Sequence, residues 1–364
     1  MAFGFFKKKK AGSATDHYFN LTIKEVVKET ADAVSIVFEQ PENKLEYRSG
    51  QFLTLIENIE GKEARRSYSL SSSPYTDDDL AVTIKRVPGG LLSNYLNDNA
   101  KAGSTMRVME AMGNFTTEYK ASNKRHIIMF AGGSGITPIM SIAKSTMVKE
   151  PESIVSLIYC NRDIDSIIFK EQLAQMERED EGRMHVIHVL DNAPLEWQGA
   201  SGLLNHEMLT KLLERIPDWG NEKTTYLMCG PEGMMQNIDT LLAQQSIPAN
   251  RIFKESFVVG TINKKESESS DKLQTRDVTI VYDGEEHQIT VKPKSFILET
   301  ALDAGIDLPF SCQSGLCTAC RGKCVSGEVR MDEEEGLSEA EKEQGYVLIC
   351  VGHPLTDDVR IEIG

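Results

Sequence analysis

The sequence predicts three domains: an antiparallel β-barrel, an α/β domain on a parallel sheet, and a small C-terminal domain with a mixed sheet. Three observations carry this. Short alternating apolar runs fill the chain up to about Lys120. Strand-then-helix units follow them. A polar, Ser-rich stretch from Asn263 to Lys272 then sets off a last quarter that holds five of the seven cysteines. The length, 364 residues, suffices for two or three cores at roughly 100–200 residues each.

In the first domain, 16–120, apolar or alternating runs recur at 21–27, 33–39, 51–56, 66–71, 80–87 and 105–110. Gly and Pro punctuate them, as expected of a barrel of short strands, and a helix is expected after Gly90. In the second, 121–260, the run 126–131 reads as a buried strand and leads through glycines to a helix over 138–149. A strand at 153–159, a helix from about 166 to 177, strands at 185–189 and 224–228, and a helix from about 233 to 245 complete it. Repeated strand–helix units imply a parallel sheet covered on both faces. Residues 261–273 read as a linker. In 274–364, strands at 278–281 and 288–291 bracket Asp283-Gly284-Glu285-Glu286, a hairpin, and 295–302 reads as a short helix.

Charge narrows the function classes. The formal net charge is −15, and 274–364 alone holds 18 acidic against 8 basic residues, which is −10 of it. A generic nucleic-acid binder needs the opposite sign. The chain has no apolar run of 18 residues, so nothing is expected to span a membrane. The N-terminal Phe3-Gly4-Phe5-Phe6 and the lysines Lys7 to Lys10 are too short for a stable anchor, and the expected location is cytoplasmic. An odd cysteine count argues against a disulfide scaffold.

Four motifs carry chemistry. Gly132-Gly133-Ser134-Gly135-Ile136-Thr137-Pro138 follows a strand and opens a helix. Glycines let backbone amides approach a ligand, and a helix N-terminus favours a diphosphate; a tight structural turn is the other reading. Cys229-Gly230-Pro231 ends another strand of the same sheet, where ligands of open α/β sheets gather. On the alternating strand Arg66-Ser67-Tyr68-Ser69, Arg66 and Tyr68 share a face and can pair with a phosphate and stack on a planar ring. Gly89-Gly90-Leu91-Leu92-Ser93 is a second glycine turn opening a helix.

The fourth motif is Cys312, Cys317 and Cys320, followed by Cys350 after 29 intervening residues. The C-x4-C-x2-C…C spacing is that of plant-type 2Fe-2S centres. Zinc is the competing reading, although zinc sites usually pair two short C-x2–4-C units. Cys324 is surplus and reads as a packed thiol. No histidine stands in a metal or triad motif, and Ser134 lies in a glycine loop rather than a nucleophile elbow, so hydrolysis has little support.

Together these segments resemble the ferredoxin–NADP reductase superfamily with a plant-type ferredoxin domain fused at the C-terminus. The resemblance runs from about Asp16 to Gly364. It implies an FAD-binding barrel, an NAD(P)-binding α/β domain and a β-grasp 2Fe-2S domain. It also implies that Arg66 holds the FAD diphosphate, that Tyr68 stacks on the flavin with Ser69 near its reactive nitrogen, and that Gly89, Gly90 and Ser93 bind FAD phosphates. Gly132, Gly133, Ser134, Gly135, Thr137 and Pro138 would take the dinucleotide diphosphate. Cys229, Gly230 and Pro231 would border the nicotinamide, with Ser69, Cys229 and Glu255 at the reacting centre; Phe257 stands where relatives place a flavin-covering aromatic. Cys312, Cys317, Cys320 and Cys350 would hold the cluster. Arg162 resembles an arginine that pairs with a 2′-phosphate and implies NADPH, while Asp163 and Asp165 leave NADH open. The chain looks most like reductases serving the ring-1,2-phenylacetyl-CoA epoxidase, which implies a di-iron oxygenase as electron acceptor. A reductase of the same architecture for another oxygenase, and a non-catalytic iron–sulfur or zinc protein, are the alternatives.

Overall fold

The computed structural model describes residues 17–179, 182–217, 223–257, 274–334 and 336–364. The N-terminal lysine run, the linker expected over 261–273 and Glu335 lie outside them.

The first sheet contains β1 (Tyr18–Thr30), β2 (Ala33–Phe38), β3 (Phe52–Ile59), β4 (Lys62–Ser69), β5 (Leu80–Lys85) and, after α1 (Leu91–Asn99), β6 (Thr105–Met109). Its order is β4-β3-β6-β1-β2-β5, and all its pairings are antiparallel. A bridge between Leu70 and Val82 joins the two ends and closes the barrel, which removes the open edges a sheet otherwise exposes. Alternate positions turn inward, so Leu21, Ile23, Ile36, Phe38, Leu53, Leu55, Val82 and Ile84 fill one buried core.

The second sheet runs β10-β9-β8-β7-β11-β12 and is parallel throughout. Its elements are β7 (His126–Gly132), α2 (Ile136–Lys149), β8 (Ile154–Asn161), α3 (Lys170–Glu179), β9 (Met184–Leu190), β10 (Ala200–Ser201), α4 (His206–Leu213), β11 (Thr224–Cys229), α5 (Glu232–Gln244) and β12 (Ile252–Glu255). The period of two splits β7 between two cores. Ile127, Met129 and Ala131 pack with α2, while Ile128 and Phe130 pack under α4 and α5. A central strand buried on both faces must be apolar throughout, as β7 is. The helix expected from residue 166 begins later, at Lys170. Asp163 and Ser166 form a reciprocal capping box around a short 3-10 turn first, which uses the polar residues that would have opened the helix. No sequence expectation covers α4, which starts with the Asn205 side chain accepting from the Met208 amide.

Glu150, fully buried, receives Arg125 through Nε at 3.0 Å and Nη2 at 2.8 Å, and Asn123 and Ser153 complete its hydrogen bonds. This satisfied carboxylate pins the segment joining the two domains to the N-terminal ends of the central strands β7 and β8.

The third sheet is mixed, in the order β14-β13-β19-β15-β17. It comprises β13 (Arg276–Tyr282), β14 (Glu285–Val291), β15 (Arg321–Ser326), β17 (Tyr346–Leu348) and β19 (Val359–Ile363). β16 (Val329–Met331) pairs separately with β18 (Gly352–Pro354), and α6 (Ile297–Asp303) and α7 (Glu339–Glu343) flank the sheets. Asp283 and Gly284 both take positive φ, 52° and 79°, as a two-residue hairpin turn matched to strand twist requires. Ile297, Leu298 and Ala301 of α6 close the core with Val278, Ile280 and Ile361. The three-domain architecture expected from the sequence is the one observed.

Candidate functional site

The glycine turn after β7 and the turn after β11 interlock. A Cβ on Gly135 would lie 2.0 Å from the Cys229 carbonyl oxygen, one on Gly132 2.4 Å from Pro231 Cδ, and one on Gly230 2.9 Å from the Gly132 nitrogen. Only glycine permits this approach, and it places the α2 N-terminus beside Cys229, where adjacent strands depart to opposite sides of the sheet. Gly133 takes φ 52°, and its carbonyl accepts from Tyr159 Oη at 3.0 Å. Thr137 Oγ1 donates to the Ser134 carbonyl at 3.0 Å. α2 has no side-chain cap, and Pro138 sits in its first turn, where a missing N–H costs nothing.

Cys229 pairs in register with Glu255 across β11 and β12. Burial, and then the neighbouring Glu255 carboxylate, hold the Cys229 thiol well above its ordinary range, so it is neutral. Glu255 keeps some solvent exposure, but its desolvated carboxyl is pushed up to about 8. The folded chain therefore keeps a proton between pH 4.5 and about 8 that the unfolded chain releases. Stability should fall as pH rises through that window, with an upper limit of about 1.4 kcal/mol per pH unit that residual solvent access lowers. Glu255→Gln should flatten that slope in denaturation midpoints measured across pH; a variant with the wild-type slope would disprove the assignment.

On the barrel, Phe52 lies opposite Ser69 and Leu53 opposite Tyr68. Ser69 is buried, Tyr68 is half-buried with its phenol raised by burial, and Arg66 is exposed, donating to the Arg65 carbonyl at 2.7 Å. Gly89 takes φ 71° over open space, and α1 starts at Gly90 without a side-chain cap. Ser93 Oγ accepts from the Val87 amide at 3.2 Å, tightening that turn. Lys85, at the end of β5, brings Nζ within 3.6 Å of where a Gly133 Cβ would stand, so the end of that barrel strand adjoins the glycine loop.

The thiols of Cys312, Cys317, Cys320 and Cys350 form one group: Cys312 neighbours Cys317 and Cys350, and Cys350 also neighbours Cys320. A two-iron centre asks for two thiolates per iron, which four cysteines supply. Ser314 Oγ and Thr318 Oγ1 are buried in the same loop without hydrogen-bond partners, as donors meant for cluster sulfur would be. Cys324 stands apart on β15, its Sγ 3.2 Å from the Ser326 carbonyl.

This loop packs on the barrel. Phe52 and Met112 cover Cys312, Cys317 and Ala319. Ser67 Oγ donates to Ser311 Oγ at 2.8 Å, the Arg65 guanidinium lies 4.3 Å over the Phe310 ring, and Asn114 Nδ2 donates to Glu341 Oε1 at 2.6 Å. Glu341 in turn pairs with Arg321, next to Cys320.

Three domain families match: the oxidoreductase FAD-binding domain over 18–117, the oxidoreductase NAD-binding domain over 129–240, and the 2Fe-2S iron-sulfur cluster binding domain over 280–355. The whole chain is 35% identical over 352 residues to the ferredoxin reductase component of 3-ketosteroid-9-alpha-monooxygenase from Rhodococcus rhodochrous, with 94% of this chain and 96% of that one covered. The chain belongs to the ferredoxin–NADP reductase superfamily. This reductase is also 32% identical over 349 residues to one of the subunits of the 1,2-phenylacetyl-CoA epoxidase of Escherichia coli K12, covering 95% and 97% of the two chains. The likeness expected to epoxidase reductases is therefore shared with the ketosteroid type, at slightly lower identity. Its fold matches an intact type IV self-sufficient cytochrome P450 monooxygenase with a TM-score of 0.69 at 19% identity, over 95% of this chain and 41% of that one. The reductase is thus an electron-transfer oxidoreductase with FAD-, NAD(P)- and 2Fe-2S-binding domains. No helix of its described residues is long and apolar enough to cross a membrane.

The residues here fit all three groups: glycines that no Cβ could replace, an uncapped α1, and orphaned hydroxyls beside clustered thiols. The structure puts Arg66, Tyr68 and Ser69 on one strand, and Cys229 and Glu255 side by side. Phe257 is exposed. Sequence reasoning passed over Tyr159, Lys85, Arg65 and Asn161, whose buried amide at the end of β8 has no hydrogen-bond partner. Their only sequence signal was nearness to strand ends or to a motif already chosen.

Proposed function

We propose that this chain is the reductase component of a terminal oxygenase, carrying electrons from NADPH through FAD to a cluster held by Cys312, Cys317, Cys320 and Cys350. Flavin takes two electrons together from a nicotinamide and releases them singly, as a 2Fe-2S centre requires. The observation that carries the reading is strand β4. Successive side chains on a strand point to opposite faces. Arg66 and Tyr68 would face the flavin, while Arg65 and Ser67 hold Phe310 and Ser311 beside Cys312. One strand then separates electron source from sink.

Arg66 and the α1 turn at Gly89, Gly90 and Ser93 would bind the FAD diphosphate, with Tyr68 against the ring; the same alternation turns the Ser69 side chain to the face of Phe52, so Ser69, at the end of β4, would meet the reacting edge of the ring with its backbone. Gly132 to Pro138, with Ser134 and Thr137, would hold the dinucleotide diphosphate. Gly230 and Pro231 shape the nicotinamide end, and neutral Cys229 and Glu255 line it without adding charge. Arg162 is 61% exposed and pairs with Asp163 at 3.0 Å. An exposed pair of this kind is worth about 0–1 kcal/mol, so a 2′-phosphate would displace it. Arg162→Ala should lower kcat/KM for NADPH at least about tenfold and leave NADH unchanged; equal losses for both would remove the NADPH preference.

The acceptor favoured by identity is an oxygenase of the 3-ketosteroid-9-alpha-monooxygenase type, with the phenylacetyl-CoA epoxidase, expected to be a di-iron oxygenase, as second candidate. The acidic C-terminal domain suits a basic docking face on either. Steady-state assays of the purified chain with both oxygenases and both nicotinamides test this. Coupled turnover with one oxygenase supports the reading; a colourless, zinc-only protein sinks it.

A further inference from the structure

Ser314 is 6% exposed and stands two residues after Cys312. Gln313, between them, adopts φ 54°, and Gly315 follows at φ 76°. A non-glycine residue takes the left-handed region only where its surroundings hold it there. Here the turn carries the Ser314 amide onto Cys312 Sγ, at 3.4 Å. The Ser314 side chain lies against the same sulfur, yet Oγ stops short of hydrogen-bond geometry and is buried without a partner. Buried hydroxyls are nearly always satisfied in native proteins, and each exception asks for an explanation.

The sulfur itself supplies one. A neutral thiol is a weak acceptor, whereas a cysteinyl sulfur bound to a cluster carries negative charge and attracts donors strongly. Two donors from one residue would then meet one ligand. Hydrogen bonds to cluster sulfurs favour the state with more negative charge, which is the reduced one. Cys312 is also a cysteine that packs against Phe52 and Met112 on the barrel, the side from which electrons would arrive.

We propose that the Ser314 hydroxyl donates a hydrogen bond to the Cys312 sulfur of the assembled cluster and, together with its own amide, raises the reduction potential of that cluster. The inference rests on Cys312 being a cluster ligand, as assigned under the proposed function. Ser314 would act only through that sulfur, so its signature is a potential and not a turnover number.

Spectroelectrochemical titration of the full-length, cluster-loaded chain tests it. Ser314→Ala should make the one-electron reduction of the cluster about tenfold less favourable, a negative shift of about 59 mV, with the flavin potential unchanged. A loaded Ala variant with the wild-type cluster potential would overturn the proposal. Should the Ala variant load poorly, Ser314→Thr and Ser314→Val form an equal-volume pair that differs in the hydroxyl. A higher potential for Thr than for Val supports the hydrogen bond, and equal potentials reject it. Wild-type protein lacking iron–sulfur absorbance is a different failure, because it would remove the cluster assignment beneath the inference.

Discussion

Cys320→Ser should leave a yellow protein without a cluster. Cys320 is 1% exposed and packed in the core of the C-terminal domain, and its backbone carbonyl accepts from the Ile349 amide at 3.3 Å, which ties the loop to the turn after β17 that bears Cys350. Serine keeps the shape and backbone contacts but replaces a soft thiolate with a hard, poorly ionised hydroxyl. Changing even an outer partner of a metal ligand costs about 10–100-fold, so losing a ligand should cut electron delivery to an oxygenase by more than about 100-fold. NADPH-dependent reduction of a small dye that draws on the flavin directly should stay near wild type, because the nucleotide turns and β4 are untouched. Iron and sulfide analysis with the two assays checks this. Retained oxygenase coupling would mean that the ligand set is wrong.

Gly135→Ala should be the most damaging single change in the nucleotide domain. Its Cβ would stand 2.0 Å from the Cys229 carbonyl oxygen and 2.5 Å from the carbonyl carbon. Both atoms are backbone, so no rotamer relieves the overlap, and the β7 and β11 turns must separate. Overpacking a well-filled site costs roughly 1–3 kcal/mol, and an overlap with fixed backbone should exceed that. Displacing the Cys229 turn by an ångström should also lower NADPH-dependent flavin reduction roughly 100-fold. Gly233→Ala is the control. It lies in α5 with nothing within 4 Å of the added carbon, so it should stabilise by up to about 1 kcal/mol through helix propensity. Thermal unfolding and stopped-flow reduction of the three proteins would separate the effects; a Gly135→Ala protein matching Gly233→Ala would refute the close approach.

Much of this was legible in sequence because the signals were periodic or punctuated. The unbroken apolar run of β7, the glycines after it and the cysteine spacing each have one main structural solution. The late start of α3 was not legible, since a capping box between Asp163 and Ser166 looks like any polar helix start until its hydrogen bonds are seen. α4 is amphipathic but short, and its Asn205 cap gives no strong contrast with the loop before it. The contact between the cysteine loop and the barrel was out of reach altogether. Arg65 and Phe310 are 245 residues apart, and a buried arginine over an aromatic ring leaves no local trace. On that strand the face with Arg66 and Tyr68 is legible, while the opposite face, Arg65 and Ser67, is not. The acidic, cysteine-rich last quarter was visible from composition alone, but not that its cysteine loop would turn inward onto Phe52.

Electrons from a nicotinamide should reach a 2Fe-2S centre within this one chain. Anaerobic addition of NADPH to the purified holoprotein, followed by absorbance and electron paramagnetic resonance, tests it most directly. Flavin and cluster bands should bleach together, and a paramagnetic reduced cluster should appear in wild type and be missing in Cys320→Ser. Flavin bleaching with a cluster that stays oxidised, or a protein without iron, would contradict it.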